Sequence, residues 1–151
     1  MAIVTVGELL DRARTFEDRL ATRYAEIRDQ TEDPGVRLLT YYLARHRRHQ
    51  ELALAEYDRT QTNHIRDVKM KYDIPFDPQI LFCRLDAPVA TLSGDRLLQA
   101  AIAYDQALID LYRAMLEQPL NDEVRAFFES LIRIEERDIV MMKKMIAMHY
   151  F

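Results

Sequence analysis

Acidic residues interrupt the apolar stripes of several helical segments in this sequence, which is the pattern expected of a buried metal site. Glu135 and Asp138 lie three residues apart in "IEERDIV", on the helical face that also carries the preceding apolar residues. Glu17 and Asp105 each lie between apolar residues of their own segment. Carboxylates offset the charge of two iron ions and can bridge them, and imidazole groups complete such a shell. These four acids are therefore candidate metal ligands.

Two histidines are the imidazole candidates. His46 and His49 lie three residues apart in "LARHRRHQEL", among arginines at positions 45, 47 and 48. One interpretation is that both histidines join the acids in a mixed site for iron, manganese or zinc. The other, which we favour, is a solvated or partner-facing basic stripe. The choice depends on which side of the second helix faces the core.

The spacing of apolar residues predicts the helices that must position these side chains. Four helices are expected, over about residues 6–27, 36–59, 93–116 and 123–148. "TEDPGVR" and "QPLNDE" supply the breaks inside each half, and Ser93 or Asp95 is the expected cap of the third helix. Residues 61–92 contain three prolines and no sustained period, which indicates a long connection with room for a short helical turn.

The chain aligns with itself at an offset of 88 residues, which carries Leu9 to Leu97 without a gap across two helices and their loop. Shared helical periodicity would align apolar classes, but it does not explain an acid seven positions before a tyrosine in both halves. The sequence therefore predicts a duplicated helical hairpin. The matching pairs include Glu17 and Asp105, Tyr24 and Tyr112, Val36 and Val124, and Leu43 and Leu131.

Two short-loop hairpins joined by a long connection predict an all-α fold. The expected architecture is an antiparallel four-helix bundle with one crossover, which is the ferritin-like variant of that fold. We expect one domain over residues 1–151, with the crossover at about residues 61–92. Such bundles place their sites between facing helices.

The chain resembles the rubrerythrin-like members of the ferritin-like superfamily. The resemblance is carried by Glu17 with Tyr24, by Asp105 with Tyr112, and by the segments "DPGVRLL" and "DEVRAFFESLIRIEERD". It implies a di-iron site that reduces peroxide or oxygen, or that oxidises iron, often in a homodimer. In that case the two tyrosines would orient bound oxygen species.

The ligand set departs from the pattern of that family. The repeat places Arg47 on Glu135 and Gln50 on Asp138, where the family has glutamate and histidine. A guanidinium has no lone pair for a metal and stays protonated, so Arg47 opposes iron binding. It can instead bond Glu17 or Glu135 with two parallel hydrogen bonds. Our first hypothesis is a bundle without metal or other cofactor, acting as a non-enzymatic scaffold, accessory subunit or interaction protein.

A shift of the second helix by one residue gives the alternative hypothesis. One residue turns a helix by about 100°, so His46 and His49 would then face the core in place of Arg47 and Gln50. The protein would be a metal-dependent oxidoreductase or iron-binding protein that uses iron or manganese. The gapless repeat, with Leu43 on Leu131, favours the unshifted register.

The composition of the chain bears on its binding partners and its cellular location. A net charge of −4, with both signs mixed along the chain, argues against a nucleic-acid groove. No signal peptide or membrane span is apparent, and the single cysteine, Cys83, fits a reducing compartment, so we expect cytoplasmic residence. Cys83 itself is expected to be a small buried residue. The methionine-rich end "MIAMHYF" predicts a contact with a second copy or a protein partner.

Overall fold

The computed structural model describes residues 4–45 and 65–149, and helices make up most of this part of the chain. The all-α prediction is therefore confirmed for the described residues, apart from two short strands. Residues 46–59 of the predicted second helix lie outside the described ranges. The helices are α1 (Val6–Gln30), α2 (34–45), α3 (Gln79–Leu85), α4 (Gly94–Leu116) and α5 (Asp122–Ala147), and the strands are β1 (Val4–Thr5) and β2 (Lys69–Met70).

Side-chain caps fix where the four long helical segments begin. Thr5, Asp33, Ser93 and Asn121 each accept a hydrogen bond from the backbone N–H three residues further on. Thr5 and Ser93 are 88 residues apart, and so are Asp33 and Asn121. Both helix starts in the first half of the chain thus have a capped counterpart in the second half.

The buried face repeats with the same offset. Leu9 and Leu97 are both fully buried, and the pair formed by Tyr24 and Tyr112 is also buried. Beyond the turn, Val36 and Val124 are buried, as are Leu43 and Leu131. The first half therefore presents the same sides of its helices to the core as the second half, as far as residue 45.

The predicted helix ends differ from the observed ones by up to one turn. α1 was expected to end at Ile27, but it runs to Gln30, where the N–H of Thr31 closes the last turn on the Ile27 carbonyl. α5 begins at Asp122 because Asn121 is its cap. Within residues 4–45 and 65–149, no helix combines the length and the apolar composition needed to cross a membrane.

Specific contacts connect the long helices in pairs. α4 packs along α5, with the rings of Tyr112 and Phe128 at 5.8 Å. The Tyr104 hydroxyl of α4 donates to the Ala13 carbonyl of α1 at 3.3 Å. α1 meets α2 where Arg28 donates to the hydroxyl of Thr40. α1 therefore contacts both α2 and α4, and α4 contacts both α1 and α5.

The connection before α4 contains more structure than the sequence predicts. β2 pairs antiparallel with β1, so that Val4 lies opposite Met70 and Thr5 opposite Lys69. α3 packs Phe82 against Phe16 of α1, at 5.8 Å between ring centroids. Cys83, the next residue, points away from this contact and is exposed. Its predicted burial was wrong, because one residue on a short helix turns the side chain from the packed face to solvent.

Gln118 attaches this connection to the turn between α4 and α5. Its side-chain oxygen accepts from the backbone N–H groups of Lys71 and Tyr72, at 2.8 and 3.1 Å. Its side-chain nitrogen donates to the Tyr72 carbonyl at 2.9 Å. The buried side-chain amide of Gln118 therefore makes the hydrogen bonds to the backbone after β2 that a neighbouring strand would otherwise make.

Gln118→Ala is expected to lower the free energy of unfolding by about 1–3 kcal/mol, because it leaves backbone groups without their hydrogen-bond partner. Urea denaturation followed by circular dichroism measures the change. Gln106→Ala, which removes an exposed glutamine of α4, should change the free energy of unfolding by about 0.5 kcal/mol or less. Equal stability of Gln118→Ala and wild type would contradict the prediction.

Candidate metal centre

Three carboxylates meet in the core between α4 and α5. Asp105, Glu135 and Asp138 are only 1, 4 and 7% exposed. Each offers one oxygen atom, and these three oxygens lie within 4.8 Å of one another. Oxygen atoms that bind one cation at about 2.0–2.6 Å lie within about 5 Å of one another, so these three oxygens could share one.

The local sequence explains why the acids point inward. Along α5 the buried positions are spaced by three and four residues, which keeps them on one side of the helix. Glu135 and Asp138 continue the stripe that Phe128 and Leu131 begin and that Met142 resumes. The packing of α5 on α4 therefore carries both carboxylates into the core together with the apolar residues.

The electrostatic cost of this arrangement is large enough to require compensation. Two unit charges at about 5 Å repel by about 3–4 kcal/mol at an effective dielectric constant of about 20. Three ionised carboxylates contain three such pairs, and each also loses hydration on burial. The cluster therefore needs a positive partner, hydrogen-bond donors or bound protons.

The other predicted site residues are placed differently. Glu17 of α1 is half-buried and lies outside the group of three oxygens. His46 and His49 lie outside the described residues, as do Arg47 and Gln50. Within the described ranges the cluster contains carboxylates and no imidazole.

Tyr42 is a neighbour of the cluster that the sequence did not single out. Burial raises the pKa of Tyr42 above its ordinary value of 10.0, and the negative charge of Asp138 raises it further. Because the charge of Asp138 acts on Tyr42, α2 and α5 are close enough here to interact electrostatically. The available signal was the stripe of Val36, Leu39 and Leu43, which places residue 42 at the edge of the buried face.

The raised pKa of Tyr42 predicts a loss of stability in alkali. The folded chain holds this phenolic proton more tightly, so the contribution is present below pH 10 and declines as pH rises through the folded pKa. Asp138→Asn should lower the pKa of Tyr42, which burial alone would then hold above 10.0. The difference in tyrosinate absorbance between the protein and its Tyr42→Phe variant gives the titration of Tyr42. Measuring this difference with and without Asp138→Asn tests the prediction. An unchanged Tyr42 titration would contradict it.

The donor set defines the chemistry available here. Carboxylate oxygens bind hard or borderline cations such as magnesium, manganese and iron, and they also accept hydrogen bonds from a guanidinium. A buried trio of acids fits either partner by charge.

Comparison with known proteins found no match for this chain. No protein-family model matches the sequence, and neither a curated protein nor a solved structure matches it. The internal repeat and the carboxylate cluster are therefore the features from which a function can be argued.

Proposed function

We propose that the chain is a ferritin-like, antiparallel four-helix bundle made of two duplicated hairpins and related to the rubrerythrin-like proteins. The paired caps and the matching buried faces support the duplication. The contacts of α1 with α2 and α4, and of α5 with α4, are those that such a bundle requires. The electrostatic interaction between Tyr42 and Asp138 supports the remaining contact of the bundle, between α2 and α5.

In this proposal the carboxylates are balanced by an arginine instead of iron. The repeat matches Arg47 to the buried Glu135, and it matches Gln50 to the buried Asp138. It matches His46 to the half-buried Ile134. The register that continues the buried face of α2 therefore favours the arginine as the core-facing residue, and its fixed positive charge suits an acidic cluster.

The function that follows is non-enzymatic. A di-iron bundle uses a Glu-x-x-His pair on each of two helices. This chain has Arg47 and Gln50 at one pair of positions and Glu135 and Asp138 at the other, so both histidines are replaced. The bundle then acts through its surface, as a scaffold, accessory subunit or interaction protein that binds a second copy or another protein.

The observation that carries this proposal is the buried trio of acids, because the repeat counterpart of Glu135 is an arginine, Arg47. Elemental analysis of protein purified without chelator tests it. We expect substoichiometric iron and manganese, also after incubation with either ion and desalting. About two ions per chain, the load of a di-iron bundle, would overturn it.

The geometry of Asp105, Glu135 and Asp138 favours a second candidate function. Their oxygens are close enough to hold one cation, so a modified iron or manganese site of an oxidoreductase or peroxidase is the alternative. Such a site would need further ligands, for which Glu17, His46 and His49 are the candidates. Stoichiometric metal together with metal-dependent consumption of peroxide would favour this candidate over the first.

A further inference from the structure

A cavity lies between α4 and the segment that precedes α3. Its volume is about 330 Å³, at the lower end of the range for small-molecule pockets in proteins. One wall is formed by residues 74–78, called the proline segment below. The other wall is the side of α4 that carries Ala107, Leu111 and Ala114. Because two of these three side chains are single methyl groups, space remains between the helix and the proline segment.

The proline segment is held in place by contacts outside the cavity. Pro75 and Pro78 each fix one backbone torsion of the segment. The ring of Phe76 packs edge-on against the ring of Phe16 in α1, at 5.5 Å between centroids, and lies 6.4 Å from the ring of Tyr104 in α4. A ligand therefore meets a wall that is already ordered, which lowers the entropic cost of binding.

Two carboxylates give this otherwise apolar cavity a single sign of charge. Asp77 and Asp110 line it, and no basic residue is among the described residues that do. Oδ1 of Asp77 accepts a hydrogen bond from the backbone N–H of Gln79 at 3.2 Å. Oδ1 of Asp110 accepts one from the side chain of Gln106 at 3.0 Å. Neither carboxylate forms an ion pair within the described part of the chain, so each keeps acceptor positions for a cation.

A larger cavity beside α1, of about 470 Å³, is less suited to a ligand. Its arginines already have partners within the protein. Arg23 pairs with Glu26 at 3.0 Å and donates to the Leu85 carbonyl at 2.7 Å. Arg19 lies over the ring of Phe82, at 4.1 Å from its centroid. The acids of the smaller cavity, in contrast, face no basic residue among those described.

The smaller cavity is distinct from the carboxylate cluster. Successive residues of an α-helix are turned by about 100°, so Ala107 and Ala114 are turned by about 160–180° from Asp105 around the axis of α4. Asp105 belongs to the cluster between α4 and α5. A ligand bound against the proline segment therefore lies on the other side of α4 from the candidate metal ligands.

We propose that this cavity binds a small organic cation, an amine or amidine attached to an apolar body. The apolar body would lie on Leu111, between α4 and the proline segment, and the cationic group would bond Asp77 and Asp110. At this volume the body is about one ring with a short chain. The inference goes beyond the proposed function and does not depend on it.

Phenethylamine is the probe, and phenethyl alcohol and phenylpropionate are its neutral and anionic counterparts. Titration of the full chain, followed by two-dimensional NMR, should give a dissociation constant of about 1 mM or lower for the amine. The amine should bind more weakly as salt is added. The alcohol and the carboxylate should bind about tenfold or more weakly than the amine. Equal binding of the three probes, or no binding of the amine at about 10 mM, would overturn the proposal.

Matched variants test the contacts. Asp77→Asn combined with Asp110→Asn should weaken binding of the amine about tenfold or more and leave binding of the alcohol unchanged. Ala114→Leu should abolish binding of both, because the larger side chain fills the cavity. Asp29→Asn and Ala21→Leu make the same changes at exposed positions of α1, so both should bind like wild type. If these controls lose as much binding as the cavity variants, the proposal is wrong.

The NMR signals that move give the position of the probe without any substitution, so the test stands even if one variant fails to fold. We expect the signals of residues 74–78 and 107–114 to move. Shifts confined to other residues would overturn the proposal.

A lysine side chain of a partner protein carries the same ammonium group as a free amine. Nα-acetyl-lysine amide represents that source, and it should bind more weakly than phenethylamine because it lacks the ring. Tighter binding of the lysine derivative would make the cavity a protein contact and overturn the proposal. Metal content does not enter these measurements, so a metal-free protein that ignores the amine refutes only this inference, and stoichiometric metal refutes only the proposed function.

Discussion

Arg47→Glu is expected to turn a chain that purifies without metal into one that binds iron or manganese. The change removes the positive charge that we place against the carboxylates. It also supplies a carboxylate at the counterpart of Glu135, which is where the ferritin-like pattern has a ligand. Without metal the variant should be markedly less stable than wild type, because a fourth acid replaces the positive charge that we place beside Asp105, Glu135 and Asp138.

The measurement is elemental analysis combined with thermal unfolding, with and without added manganese. Added metal should raise the melting temperature of Arg47→Glu and leave wild type unchanged, since a ligand stabilises only a fold that binds it. Arg48→Glu is the matched control, because it makes the same charge change at a position whose repeat counterpart, Glu136, is exposed. Metal uptake by both variants, or by neither, would contradict the placement of Arg47.

Phe128→Ala is expected to lower the free energy of unfolding by about 3–5 kcal/mol. The ring is fully buried, 5.2 Å from the ring of Phe127 and 5.8 Å from that of Tyr112. Its removal leaves a cavity at the packing of α5 on α4, one layer from Leu131 and two from Glu135. Domains of this size have about 5–15 kcal/mol of total stability, so this loss is a large fraction.

Urea denaturation of wild type and Phe128→Ala gives this difference directly. Val140→Ala, at an exposed position of the same helix, should change stability by about 0.5 kcal/mol or less. If Phe128→Ala matched Val140→Ala, the described packing of α5 against α4 would be wrong.

The helices could be predicted because their signals are local. Capping residues such as Ser93 and breaks such as "QPLNDE" act within a few positions, so they are readable without the rest of the chain. The pairing of β1 with β2 could not be predicted in this way. It joins residues 4–5 to residues 69–70 through two-residue strands that carry no alternating pattern. The contacts of Gln118 are equally non-local.

The candidate site could be predicted as far as the repeat reaches. The apolar stripes around them identified Asp105, Glu135 and Asp138 as core-facing acids, and the structure brings these three together. Glu17 was predicted to join them, but it lies outside the group, because small differences in how α1 packs decide whether a long side chain reaches it. Tyr42 was missed because a residue at the edge of a helix's buried face can point toward either of two neighbouring helices. Only tertiary packing determines that Tyr42 lies toward α5.

The anchoring of the connection at both ends has a consequence for how the chain unfolds. The segment that carries β2 is attached to the start of α1 through β1, and it is attached through Gln118 to the turn that joins α4 and α5. Opening either half therefore breaks contacts of the other, which couples the two halves in one cooperative transition. Loosening the attachment at Gln118 would remove one of these couplings, while the shared core and the hydrogen bond from Tyr104 to Ala13 would still join the two halves.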